Sequence, residues 1–82
     1  MLEDFISFIA KHLVDKPEHV QVAQDENEER IRYVLSVGAE DLGRVIGKDG
    51  RNAKAMRTLL TAAAALRGRK AILEISNDPT GT

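Results

Sequence analysis

Leu2, Phe5, Ile6, Ile9 and Leu13 fall at the i, i+3, i+4, i+7 spacing of one helical face, which predicts a helix over Leu2 to Val14. Glu3 and Asp4 sit in its first turn and Lys11 in its last, matching the helix dipole, and Pro17 stops it. Val20 and Val22 alternate with His19 and Gln21 as a short strand. The polar run Asp25-Glu26-Asn27-Glu28-Glu29 suits a hairpin loop. From residue 30 to 37 the alternation is strict: Ile31, Tyr33, Leu35 and Val37 share one face, and Arg30, Arg32, Val34 and Ser36 share the other. That is the pattern of a half-buried strand.

Gly38 ends this strand, and Ala39 to Ile46 form a short predicted helix carrying Leu42, Val45 and Ile46. It stops at Gly47. A longer helix is expected from about Arg51 to Arg67, with Ala53, Met56, Leu60, Ala63 and Leu66 as its apolar stripe. Gly68 is placed to close it as the first residue past the cap. Ala71, Leu73 and Ile75 alternate as a last strand, and Asn77 to Thr82 is a turn-like, flexible tail. The predicted order is α-β-β-α-α-β in a single α+β domain over residues 1–76, with three helices burying one face of three strands.

Composition narrows the functions open to such a domain. With 82 residues there is room for one core only, and no stretch approaches the ~20 apolar residues of a membrane span. No cysteine is present, which removes disulfides, Cys-ligated zinc and thiol catalysis together. The acidic N-terminus lacks the positive charge of a signal peptide, so a cytoplasmic location is expected. The net charge of −1 conceals an asymmetry. Residues 1–42 carry four basic and ten acidic side chains, or −6, whereas residues 43–82 carry eight basic and three acidic, or +5. Such a split points the basic half at an anionic partner.

That half opens with Gly43-Arg44-Val45-Ile46-Gly47-Lys48-Asp49-Gly50-Arg51, where two helices meet across a four-residue turn bounded by glycines. Glycine allows positive φ and close approach of another backbone. The following helix directs its free N–H groups and positive dipole end at the turn. Arg51, Lys54 and Arg57 recur every three residues from that end, a basic stripe spread over about 120°. A phosphodiester fits such a site.

Competing readings fail on spacing. A Walker A loop would need glycine where Leu42 stands and a hydroxyl residue where Asp49 stands. No Gly-x-Gly occurs nearby for a dinucleotide fingerprint, and Arg30 occupies the glycine position of an EF-hand begun at Asp25. His12 and His19 lack a third metal ligand, and Ser7, Ser36 and Ser76 lack a neighbouring base. Two Phe, one Tyr and no Trp are too few for the stacking platforms of many RNA-binding folds.

Val-Ile-Gly-Lys-Asp-Gly-Arg between two helices resembles the GXXG loop of a KH domain, and the element order resembles its type II arrangement, with a three-stranded mixed sheet. Over residues 1–76 the chain is similar to the small bacterial single-KH RNA-binding proteins of the KhpA (YlqC) type. The resemblance implies that Gly47, Lys48, Asp49 and Gly50 clamp an RNA backbone. It implies that Val45 and Ile46 line a groove for about four nucleotides, with Arg44, Arg51 and Lys54 holding phosphates. Arg57 continues the basic stripe. A carboxylate at Asp49 departs from what a phosphate site wants and is expected to lower affinity.

The implied activity is binding of single-stranded RNA without catalysis, cofactor, small-molecule substrate or membrane, in post-transcriptional regulation or as an RNA chaperone. The implied partners are a second copy or a larger KH-containing RNA-binding protein. An exposed part of the helix bearing Ala62 to Ala65 is a candidate dimer face. A protein–protein module on the same scaffold, its RNA site idle because of Asp49, is the alternative.

Overall fold

The computed structural model describes residues 2–77. Helix α1 spans Leu2–Leu13, and a 3₁₀ turn at Pro17–His19 leads into strand β1, Gln21–Glu26. Strand β2 (Arg30–Ser36) is followed by a 3₁₀ turn at Ala39–Asp41 and helix α2, Leu42–Ile46. Helix α3 (Arg51–Ala65) and strand β3 (Lys70–Ser76) complete the order α-β-β-α-α-β. Of the expected flexible tail at 77–82, residues 78–82 lie outside the described residues.

The sheet order is β1-β2-β3, antiparallel between β1 and β2 and parallel between β2 and β3. A hairpin suffices for the first pair; the second needs a crossover, which α2 and α3 supply. β2 is therefore central, and its Ile31, Tyr33, Leu35 and the following Val37 are buried as the alternation predicts. Ile6 and Ala10 of α1, Val45 of α2, Met56 and Leu60 of α3 and Leu73 of β3 close the core over them.

Several expectations needed correction. Asp25 and Glu26 belong to β1, not to the loop: Asp25 is opposite Arg32 and Glu26 opposite Ile31. Opposite charges face each other across the Asp25–Arg32 rung, and Glu26 pairs with Arg69 beyond the ladder, so the strand runs two residues further than its composition suggests. The turn shrinks to residues 27–29, where the Asn27 carboxamide accepts from the Glu29 and Arg30 N–H groups, both at 2.9 Å. The expected helix 39–46 begins as a 3₁₀ turn. Phe5, assigned to the core stripe, is 41% exposed. The buried residues of α1 are Ile6 and Ala10, and Leu2, Ile9 and Leu13 of the expected stripe pack partly buried against the core. Val34 and Ser36, assigned to the open face, are buried: on the central strand each stands between residues of both neighbours, Val34 between Ala23 and Glu74 and Ser36 between Gln21 and Ser76.

The α3 terminus closes as expected with slightly shorter bounds, but the apolar stripe ends differently: Ala64 rather than Ala63 is buried, and Leu66, expected in the stripe, is 90% exposed beyond the last helical turn. Gly68 has φ 70°, the Arg69 N–H reaches the Ala64 carbonyl at 3.0 Å, and the Gly68 N–H reaches Ala65 at 3.0 Å. This is a Schellman closure, and it turns the chain back into β3.

Candidate nucleic-acid interface

Helix α2 ends where Gly47 takes φ 81°, ψ 170°, a conformation open essentially to glycine alone. A 3₁₀ turn at Lys48–Gly50 follows, with Asp49 left-handed at φ 58°, ψ 25° and Gly50 at φ 73°, ψ 16°. Aspartate is among the few side chains that tolerate this region. The Gly50 N–H closes on the Gly47 carbonyl at 3.1 Å, and the Arg51 N–H on that of Lys48. Gly50 caps α3 without a side-chain bond to its first turn. The next N–H groups, of Asn52 and Ala53, are thus at the positive end of a 15-residue helix with no cap to satisfy them.

The ten residues singled out in the sequence divide into distinct roles. Gly47, Lys48, Asp49 and Gly50 form the turn itself, with Lys48 and Asp49 exposed. Among the described residues, Lys48, Arg51 and Lys54 are exposed and in no ion pair. Arg44 is committed elsewhere: its guanidinium meets the Asp15 carboxylate at 3.1 Å. Ile46 is partly exposed, whereas Val45 has no exposed surface and belongs to the core, so it can only support the turn from beneath. Arg57 points at the sheet, its Nη2 donating to the Leu73 carbonyl at 3.3 Å.

That Arg57 contact marks a groove the sequence did not disclose. Leu60, Thr61, Ala71, Ile72 and Leu73 line it with Arg57, between α3 and the free edge of β3. Only the strand order reveals that β3 is an edge with unpaired backbone groups. Asn52 is a second residue that the sequence pattern does not mark: its side chain bonds back to α2. Its one sequence signal is its place two residues beyond the second glycine.

Behind α2 lies a clasp to the N-terminal segment. The Asp41 carboxylate, fully buried, accepts the N–H groups of Asp15 and Lys16, each at 3.1 Å. The bond from Asp15 is the main reason its pKa lies below the usual carboxylate value, against the opposing effect of burial. Lys16 pairs with Glu40 at 3.0 Å, which holds the Glu40 carboxyl low and the Lys16 ammonium high.

A mixed three-stranded sheet under three helices, with a Gly-Lys-Asp-Gly turn joining α2 to α3, defines a type II KH domain. The family model described as "KhpA/KhpB, KH domain" matches residues 3–75, and the chain belongs to this family. The RNA-binding protein KhpA of Clostridium perfringens is 49% identical over 74 residues, covering 90% of this chain and 99% of that one. The Listeria monocytogenes protein of the same name is 49% identical over 74 residues (90% and 97%), and that of Chlamydia caviae 43% over 77 residues (94% and 99%). Among solved structures, Era in complex with MgGDPNP and nucleotides 1506–1542 of 16S ribosomal RNA superposes with a TM-score of 0.59 at 19% identity. That match covers 96% of this chain and 33% of Era, and it shows the fold alone.

Proposed function

We propose that residues 1–76 form one non-enzymatic KH domain that binds single-stranded RNA, gripping its backbone at the Gly47–Gly50 turn. The observation that carries this reading is the convergence at one turn of an uncapped 15-residue helix and the unpaired cations Lys48, Arg51 and Lys54. The printed name of the relatives, RNA-binding protein, supports the same ligand. Ile46 and the edge of β3 border the path of the bases, Arg57 supplies charge along it, and Arg44 joins only by leaving Asp15. The domain acts in the cytoplasm in post-transcriptional regulation or as an RNA chaperone.

Four cations on the backbone would give a slope of log affinity against log salt of about −3 for a single strand. A fourfold rise in salt then weakens a short single-stranded RNA about 50-fold, whereas salt-independent or absent binding contradicts the reading. Asp49→Asn keeps a residue that tolerates φ 58° and removes one like charge beside the phosphates. It should tighten RNA binding about two- to fivefold at low salt.

A single site for about four nucleotides gains usable affinity by pairing with another. Leu59 on α3 is 50% exposed, and Leu66, just past its end, is 90% exposed. This apolar strip supports pairing with a second copy or with a larger KH-containing RNA-binding protein. Sedimentation over a range of concentrations reads the self-association.

A further inference from the structure

Asn52, the second residue of α3, touches both arms of the Gly47–Gly50 turn. Its side-chain nitrogen donates to the Arg44 carbonyl at 3.0 Å. That carbonyl belongs to a five-residue helix, which leaves most of its acceptors without an intrahelical donor. A carbonyl only accepts, so this contact needs a donor and turns the NH₂ end of the carboxamide toward α2. The same side chain lies flat against Gly47. A Cβ built on Gly47 would stand 2.7 Å from Cγ, 2.8 Å from Nδ2 and 3.0 Å from Cβ of Asn52. The carboxamide thus fills the space that any other residue at 47 would need.

One side chain therefore ties together the end of α2, the peptide at Gly47 and the start of α3. We propose that Asn52 is a positioning residue for the RNA clamp. It fixes the spacing of the two helix ends, so that the first-turn N–H groups of α3 and Lys48 converge on one phosphate. A rigid support of this kind is what a site needs to hold its geometry. The inference rests on the RNA reading of the turn, and its test separates the two.

Asn52→Leu keeps the branched shape and removes the donor. Ile6→Val, a core change in α1 remote from the turn and the groove, is the control for general destabilisation. In RNA-free Asn52→Leu the amides of Lys48 to Arg51 should exchange about tenfold faster relative to those of β2. Its affinity for a short single-stranded RNA should fall about three- to tenfold per folded molecule. Ile6→Val should change neither quantity. Unchanged exchange at the turn in Asn52→Leu would overturn the proposal, as would faster exchange with undiminished RNA affinity. If wild type ignores RNA while the exchange contrast holds, the RNA reading of the turn is what fails, and Asn52 keeps only its role in shaping the turn.

Discussion

The double variant Lys48→Asp, Gly50→Asp should lose at least about 100-fold in affinity for single-stranded RNA and remain folded. Three units of charge change sign or appear at the turn, all unfavourable to phosphate. More specifically, residue 50 is the N-cap of α3 and carries no side-chain bond to the first turn. An aspartate there would fold its own carboxylate onto the N–H groups of Asn52 or Ala53, so the chain itself occupies the proposed anion site. The fold should tolerate the change. A Cβ on Gly50 meets nothing within 4 Å. Aspartate also enters the left-handed region at a cost of only about 1–2 kcal/mol. Circular dichroism should match wild type, and a folded double variant that binds as wild type does would place the RNA elsewhere.

Asp41→Asn should be the most damaging conservative change outside the apolar core. Its carboxylate accepts two backbone N–H groups in a place without exposed surface. An asparagine has the same shape but only one accepting oxygen, so its NH₂ would face the Asp15 or Lys16 N–H donor to donor. One orphaned buried donor in a domain of this size lowers the melting temperature by about 10 °C. The pH dependence carries a matching signature. The Asp41 pKa is depressed by the bond from Asp15, so its stabilisation is complete above the unfolded value near about 4 and is lost as pH falls through the lower folded value. Below about pH 4 the melting temperature of wild type should fall more steeply than that of Asp41→Asn. Some acid sensitivity should persist in the variant, since Lys16 holds Glu40 low and Arg32 holds Glu74 low. Equal slopes would show that the clasp carries none of the acid response.

These two sites differ in how openly the sequence shows them. The turn is local: Gly47, Lys48, Asp49 and Gly50 are contiguous, and two glycines three apart before a basic helix can be read without knowing the fold. The alternation of Ile31, Tyr33, Leu35 and Val37 is local too, which is why β2 emerged with its buried face correct. The clasp is not local. Asp41 reaches back 26 and 25 residues to Asp15 and Lys16, and no periodicity connects positions so far apart. The same holds for Arg44, whose partner Asp15 is 29 residues away. Counted by composition, Arg44 belonged to the basic half; in space it is already neutralised. Val45 illustrates the reverse case. Adjacent to the turn, it reads as groove lining, yet a helix of five residues has only one inward side and Val45 occupies it. The edge of β3 and the contact of Arg57 with Leu73 became visible only when the strand order was known.

The charge asymmetry of the chain has a similar resolution. Part of the +5 half is spent internally, Arg44 on Asp15 and Arg69 on Glu26. Among the described residues, Lys48, Arg51, Lys54 and Arg57 are the cations along the turn and α3 that make no ion pair. A chain of net charge −1 thus gathers unpaired positive charge at the turn and along α3.

If RNA is held at this turn, amide chemical shifts will report it residue by residue. Uniformly nitrogen-15-labelled protein titrated at low salt with a short single-stranded RNA should show its largest shifts at Gly47 to Ala53. Smaller shifts are expected along Arg57 to Thr61 and Ala71 to Leu73. The amides of α1 and β1 should stay in place. Shifts centred on the open face of the sheet or on α1, with the turn unmoved, would contradict the account.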